Sequence, residues 1–454
     1  MSTTTGKLSE YVAERSAVRD AFTTPAGADV SALRRIVSID IVRGVVIVLM
    51  AIDHVRVFSG QPAGGPTPGI FFTRWITHFV APAFVFLAGT SAYLYGQRVG
   101  DKRALARFLL TRGLWLVLLE LTVLRVGWTF NFDFAHYLLA GVIWMIGWCM
   151  VLMSAIVFLP QRAIAVGSVA MIVGHNLVDL FPGALTALRQ GSAAWLWKIL
   201  YLGGVVQLGE NGPPLAVLFV IIPWVGVLAA GFAFGPVMRS SPERRRAICL
   251  RLGLAMTAAF VILRTLDVYG DPRPWRTPPA PPRRAAQSQT AQSQSTQQQP
   301  APTQGARQQT AVAPRPRMPK PLAFLSTTKY PASLSFLLMT LGPMFVLLAL
   351  VDGASGRVAH VLETFGRVPF FYYLLHIPVI HLAACVVSLI REGAVNPWLF
   401  ANHPMMSPPP PDGYTWSLPL LYLVWAIVVF ALYWPCRWFA RVRAESGIQF
   451  LRYL

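Results

Sequence analysis

Residues 35–58 read RIVSIDIVRGVVIVLMAIDHVRVF, an apolar run of bilayer length that carries Asp40, Arg43, Asp53, His54 and Arg56. A helix of about 20 such residues crosses the hydrocarbon layer. An ionisable side chain at that depth costs about 3 kcal/mol or more, so it persists where it is paired or lines a working cavity. The same pattern recurs in the next apolar run, 71–95, which carries Arg74 and His78. Further runs lie near 108–129, 137–159, 161–181, 214–237, 248–268, 333–351, 368–390 and 416–438. The expected fold is therefore all-α, a polytopic integral membrane bundle of about ten helices. Residues 193–206 are an interfacial helix or a re-entrant eleventh element.

Composition agrees. The chain is 55% hydrophobic and 13% charged, with mean hydropathy +0.52, far too apolar for an ordinary soluble globule. Its net charge of +20 comes mostly from short loops beside apolar spans, which topology explains, so nucleic acid is excluded as the partner. With ten spans those loops fall on one side, which the positive-inside rule makes the cytoplasm, with both termini there. The polar start lacks an apolar leader core, so the first span reads as a retained helix. The four cysteines, Cys149, Cys249, Cys385 and Cys436, lie singly and form neither a disulfide framework nor a zinc spacing.

The chain divides into a polar tail (1–34), a first membrane part (35–276), a Pro/Gln/Ser-rich tract (277–320), a second membrane part (321–443) and a polar tail (444–454). The tract has almost no large apolar residue and is expected to be a disordered loop on the outer side of the membrane.

Helical geometry places Asp40, Arg43, Ile47, Met50 and His54 on one stripe, with His54 about 21 Å beyond Asp40. Asp40 and Arg43 are spaced to neutralise each other, and Gly44 lets a second helix approach this stripe. Arg74 and His78 share a face, at a depth similar to that of His54. Pro82 follows them and would free backbone carbonyls. His175 and Asp179 make an i,i+4 pair. Lys329 and Tyr330, together with His376 and His381, complete a convergence of polar groups on the outer half of the bundle. Glu120 and Arg125 are buried but lie about 140° apart, so each is expected to pair elsewhere. His136, His360 and His403 read as interfacial or hydrogen-bonded structural residues. No ligand spacing supports a metal site.

A neutral histidine near pH 7 is a good general base for a hydroxyl or amine and can itself accept an acyl group. The adjacent Asp53 can tune His54. Arginine and lysine at the rim suit an anionic donor. That profile fits group transfer at the membrane, and it equally fits a proton-coupled transporter. A structural subunit without turnover is a third reading.

Ser38-Ile-Asp40-Ile-Val-Arg43-Gly44 and Met50-Ala-Ile-Asp53-His54-Val-Arg56 resemble the heparan-alpha-glucosaminide N-acetyltransferase catalytic-domain family and its bacterial relatives. Phe72-Thr-Arg74-Trp75-Ile-Thr-His78, Pro223-Trp224-Val-Gly226, Tyr269-Gly270-Asp271-Pro272, Lys329-Tyr330-Pro331 and the run from Gly366-Arg367 to Tyr373-Leu-Leu-His376 add to the likeness. The resemblance implies a membrane acyltransferase that moves an acetyl group from cytoplasmic acetyl-CoA to a sugar amine or hydroxyl of an envelope carbohydrate. It implies a bacterial inner-membrane location and no metal. Its partners would be a glycan acceptor and the surrounding lipids, with a homodimer left open. His54 and His78 are rival catalytic bases, with Asp53 assisting. Asp40, Arg43, Arg74, Lys329, Tyr330, Arg367 and His376 are the candidates for holding the donor.

Overall fold

A computed structural model describes residues 36–65, 67–276, 318–401 and 408–446. The two terminal tails (apart from residues 444–446), residues 277–317 of the Pro/Gln/Ser-rich tract and His403 lie outside the described residues. The first helix, α1 (Val37–Phe58), occupies the whole charged run. Next come α2 (Pro68–Trp75), a 3₁₀ turn (Ile76–Phe79) and α3 (Val80–Val99). The expected second span is therefore interrupted. Pro82 accounts for the break: its ring lacks an N–H and crowds the carbonyl four residues back, that of His78. Gly100, at φ 72°, ends α3 in a left-handed cap. Asp101 then caps α4 (Lys102–Leu119) by accepting from the Arg103 and Ala104 amides at 2.8 and 3.2 Å.

A π-helical turn (Glu120–Leu124) leads into α5 (Arg125–Thr129), followed by β1 (Leu138–Ala140), α6 (Val142–Ile156) and α7 (Gln161–Gly174). After a 3₁₀ segment (His175–Leu180) come α8 (Pro182–Gln190) and α9 (Ala194–Trp197). Then follow β2 (Gly204–Gln207), β3 (Pro214–Val217), α10 (Trp224–Met238) and α11 (Pro242–Leu266). The chain continues through α12 (Lys320–Leu325), α13 (Leu334–Leu350), α14 (Arg357–Arg367), α15 (Pro369–Glu392), α16 (Trp398–Ala401) and α17 (Leu418–Glu445).

The fold is a helical membrane bundle; among the described residues five helical stretches, 3₁₀ turns included, are long and apolar enough to cross a bilayer: Pro68–Val99, Gln161–Leu180, Pro242–Leu266, Pro369–Glu392 and Leu418–Glu445. Helices α6, α10 and α13 are shorter but apolar. Helix α1 has the length, 22 residues, but not the uniform apolarity.

The structure departs from the sequence expectations at further places. The runs at 137–159 and 214–237 each begin with a strand. These strands pair in a small sheet of order β1-β3-β2, with Leu138 opposite Leu215 in the parallel pair and Val206 opposite Leu215 in the antiparallel one. An apolar run carries no period that separates a short buried strand from a helical turn. Residues 193–206 are a four-residue helix, a π turn (Lys198–Leu202) and a sheet strand, so they are not one interfacial helix. Between the eighth and ninth runs the chain forms the amphipathic helix α14. Lys320, placed at the end of the tract, begins α12.

Small residues hold the bundle together in reciprocal pairs. A Cβ on Gly44 of α1 would collide with the Leu362 carbonyl of α14, and one on Gly366 of α14 would strike the Asp40 carbonyl of α1. Gly89 and Gly231 join α3 to α10 in the same way, and Gly113 and Gly147 join α4 to α6. Gly253 and Gly342 likewise bring α11 against α13. Lipid gives helices no hydrophobic reason to associate, so close backbone approach and the contacts it permits supply the attraction. The glycine expected to admit a neighbour, Gly44, does so.

Gly89→Ala and Gly231→Ala should each lower the thermal unfolding midpoint in detergent, because overpacking a tight interface costs about 1–3 kcal/mol. Gly167, which has open space around it on α7, is the control. Its replacement by Ala should leave the midpoint unchanged or raise it. Equal midpoints for all three variants would refute the close-packing role.

Candidate active site

Asp53 is the hub. One carboxylate oxygen accepts from Arg56 Nε at 2.8 Å, one turn further along α1. The other accepts from Arg74 of α2, which ties the first two elements of the chain together. Arg56 also donates to the Gln61 carbonyl at 2.8 Å, and Arg74 hydrogen-bonds the Tyr330 hydroxyl. The carboxylate is therefore held by two guanidinium groups, and no hydrogen bond joins it to His54. Consecutive helical residues point about 100° apart, so Asp53 neighbours His54 as a nearby charge and not as a hydrogen-bond partner.

His54 pairs instead with His376, 322 residues away on α15. His54 Nδ1 lies 2.6 Å from His376 Nε2, with the two rings 24° apart in plane and their centroids separated by 4.8 Å. On its other edge, His376 Nδ1 meets the Tyr373 and Tyr372 carbonyls at 2.7 and 3.2 Å. Trp128 sets its edge against His54 at 4.9 Å, and Tyr372 stacks on His376 at 5.3 Å. His376 is fully buried whereas His54 is half-buried. Among the described residues nothing hydrogen-bonds His54 Nε2.

The interrupted second span separates the rival histidine from Arg74. A 3₁₀ turn winds more tightly than an α-helix, so residues four apart no longer share a face. Arg74 reaches Asp53, while the His78 ring rests edge-on against Phe336 at 5.5 Å and its buried Nδ1 has no partner.

Lys329 and Tyr330 come from the loop that precedes α13, and buried polar residues elsewhere fix that loop. The Asp271 carboxylate accepts from the Thr328 amide at 2.9 Å, the Thr328 hydroxyl at 2.7 Å and the Ser333 hydroxyl at 3.1 Å, straddling the Lys329-Tyr330-Pro331 segment. Asn176 Oδ1 accepts from the Leu334 amide at 2.8 Å, and His175 Nε2 lies 2.9 Å from the Ala332 carbonyl. The expected His175–Asp179 pair is absent: Asp179 accepts from Asn176 and Tyr201 instead. Burial pushes Lys329 below the ordinary lysine range. Burial alone would raise the Tyr330 phenol, but the Lys329 and Arg74 charges outweigh it and bring the phenol below its ordinary value. Asp271 is the supporting residue that the sequence reading quoted without giving it a role.

The remaining candidates lie elsewhere. Asp40 and Arg43 pair at 3.6 Å, as their spacing implies, and Arg43 also reaches the Leu87 carbonyl at 3.0 Å and the Ser91 hydroxyl. They sit near the other end of α1, 10 or more residues and so at least about 15 Å from Asp53. Arg367 is at that end too, exposed and ion-paired with Glu363, so it does not join the His54 cluster. Glu120 caps the start of α6 through the Ile143 and Trp144 amides at 2.7 and 3.1 Å. Arg125 is buried against the carbonyls of Asn131 and Tyr137 at 2.9 and 3.4 Å. His381 stacks between Phe130 and Phe58. His136 and His360 are exposed. Among the described residues no three His, Cys, Asp or Glu side chains gather as a metal site would need.

A family model described as heparan-alpha-glucosaminide N-acetyltransferase, catalytic, matches residues 35–269, just over half of the chain. Asp53, His54, Arg74 and His78 fall within the match, whereas Lys329, Tyr330 and His376 lie beyond it. No curated protein matches.

Asp53→Ala should destabilise the protein by about 3–5 kcal/mol, because it strands two buried guanidinium groups. Asp101→Ala, which removes only a helix cap, should cost about 1 kcal/mol. Unfolding in detergent compares them, and equal small losses would show that Asp53 is not the hub.

Proposed function

This chain belongs to the heparan-alpha-glucosaminide N-acetyltransferase catalytic family, and from that premise we propose that it moves an acetyl group from coenzyme A to a sugar of the cell envelope. Family membership makes it a transferase of the membrane acetyltransferase type. The donor, the acceptor, the inner-membrane location and the cytoplasmic termini are our reading. The observation that carries the reading is the His54–His376 pair, which leaves His54 Nε2 unengaged near the charges of Arg74 and Lys329.

In this mechanism, His54 Nε2 takes the proton from a sugar hydroxyl or neutral amine as its oxygen or nitrogen attacks the thioester carbonyl. The carbon–sulfur bond then breaks, and the leaving thiolate recovers the proton from His54. The overall transfer consumes no water and needs no other reactant. Arg74, Lys329 and the Tyr330 hydroxyl are the donors available to the oxyanion that develops on the carbonyl. Asp53 holds Arg74 in place. His78, packed on Phe336, would shape the acceptor side.

Asp40, Arg43 and Arg367 serve the donor from the opposite end of α1, where its phosphates would enter. A long pantetheine arm suits that separation, since it places the thioester far from the charged end of the donor. A glycan acceptor would reach His54 from the other face, with lipid around the bundle.

The test is transfer of labelled acetyl from acetyl-CoA by purified protein, with sugar acceptors supplied. His54→Ala should lose about 10²–10⁴ in turnover, as expected for a general base. His78→Ala should chiefly raise the acceptor KM. Retention of more than about a tenth of parental turnover by His54→Ala would remove it from the role. Substrate uptake into vesicles without acetyl transfer would favour the transporter.

A further inference from the structure

A base at His54 Nε2 must have its lone pair there, and an imidazole offers two neutral tautomers. Only one of them leaves Nε2 unprotonated. The hydrogen bonds around His376 select between them. The Tyr373 and Tyr372 carbonyls can only accept, so the nitrogen facing them, His376 Nδ1, carries the proton. His376 Nε2 is then the acceptor, and the atom 2.6 Å from it, His54 Nδ1, is the donor. His54 accordingly holds its proton on Nδ1 and its lone pair on Nε2.

We infer that His376 is a positioning residue that fixes the reactive tautomer of His54 through a relay running from the α15 backbone to His54 Nε2. The inference rests on the acyl-transfer reading for its function but not for its geometry. His376 touches no reacting atom. Its work is done through His54, much as the group behind a catalytic histidine sets that ring's tautomer and orientation.

Three features make the relay rigid. The acceptor carbonyls lie three and four residues back on the helix that carries His376, so its ring is anchored to its own backbone. Tyr372 stacks on that ring and Trp128 abuts His54, which limits the swing of either. The pair also survives protonation. When Nε2 takes the substrate proton, His54 Nδ1 still donates to His376, so the imidazolium keeps its hydrogen bond. Asp53 does not take the place of His376 here, because it points about 100° away from His54 around α1.

Nitrogen-15 NMR of histidine-labelled full-length protein in detergent, without substrate, reads the tautomers directly. His54→Asn and His376→Gln identify the two sets of signals among the eight histidines. The parent should show both rings neutral and protonated on Nδ1. His376→Gln keeps an acceptor for His54 Nδ1, so His54 should stay in that tautomer and turnover should remain within about fivefold of the parent, small beside the loss expected without a base. His376→Leu removes the acceptor, so His54 should shift toward the Nε2-protonated tautomer. Turnover should then fall by about 10² or more with the KM values little changed.

A parent in which His54 carries its proton on Nε2 would overturn the inference without any variant. So would a His54 tautomer unchanged in folded His376→Leu, or equal kinetic losses in the Leu and Gln variants. Should the parent fail to transfer acetyl at all, the acyl-transfer reading falls, while the NMR signals still decide the relay.

Discussion

A carboxylate cannot stay charged among apolar helices without a counter-charge, and Asp53 answers this with two guanidinium groups rather than one. Arg56 holds it from within α1 and Arg74 from α2. Because Arg74 also bonds Tyr330, the same cluster reaches the loop before α13. Three distant parts of the chain are thus bound by one ionic network, which low polarity makes costly to break. Asp53 faces these guanidinium groups, and His54, about 100° away around α1, meets a partner on another helix.

That partner is within reach because glycine lets the backbones approach. Gly44 and Gly366 bring α14 onto α1 just before the chain enters α15, and so set where His376 lies along α1. The other reciprocal glycine pairs assemble the flanking helices in the same way. Side-chain chemistry at the centre is therefore a consequence of missing side chains at the interfaces. The network around Asp271 does for the Lys329–Tyr330 loop what the glycines do for the helices: it fixes an otherwise irregular segment by satisfying its backbone donors.

Helix α1 separates two polar regions. Near its start, Asp40 and Arg43 pair beside α3 and α14, and Ser38 donates to Asp352 at 3.2 Å. Asp352 in turn accepts two bonds from Arg245 at 2.8 and 2.9 Å. Near the other end lies the histidine and arginine cluster. One region is closed by mutual ion pairs, while the other retains an unengaged imidazole nitrogen and a lysine with no carboxylate at ion-pair distance among the described residues. On the proposed reading, the unengaged nitrogen marks the reacting end of α1 and the ion-paired region the end that holds the donor.

The sequence alone determined that this is a helical membrane protein, because hydropathy over about 20 residues is a local property. It also determined the family, through short motifs, and the Asp40–Arg43 pair, through helical periodicity. It picked out Asp53, His54, Arg74, Lys329, Tyr330 and His376, since polar groups in apolar runs stand out. Only the tertiary structure decided their partners. His54 meets His376 across 322 residues, and no local spacing encodes that distance. The same holds for the sheet of β1, β2 and β3, whose strands read as parts of apolar spans until their hydrogen-bond partners are known. Arg367, a candidate by motif, belongs to the opposite end of the bundle because α14 turns the chain along α1 before α15 begins. A spacing rule fixes direction within one helix; which helices adjoin is fixed by packing over the whole chain.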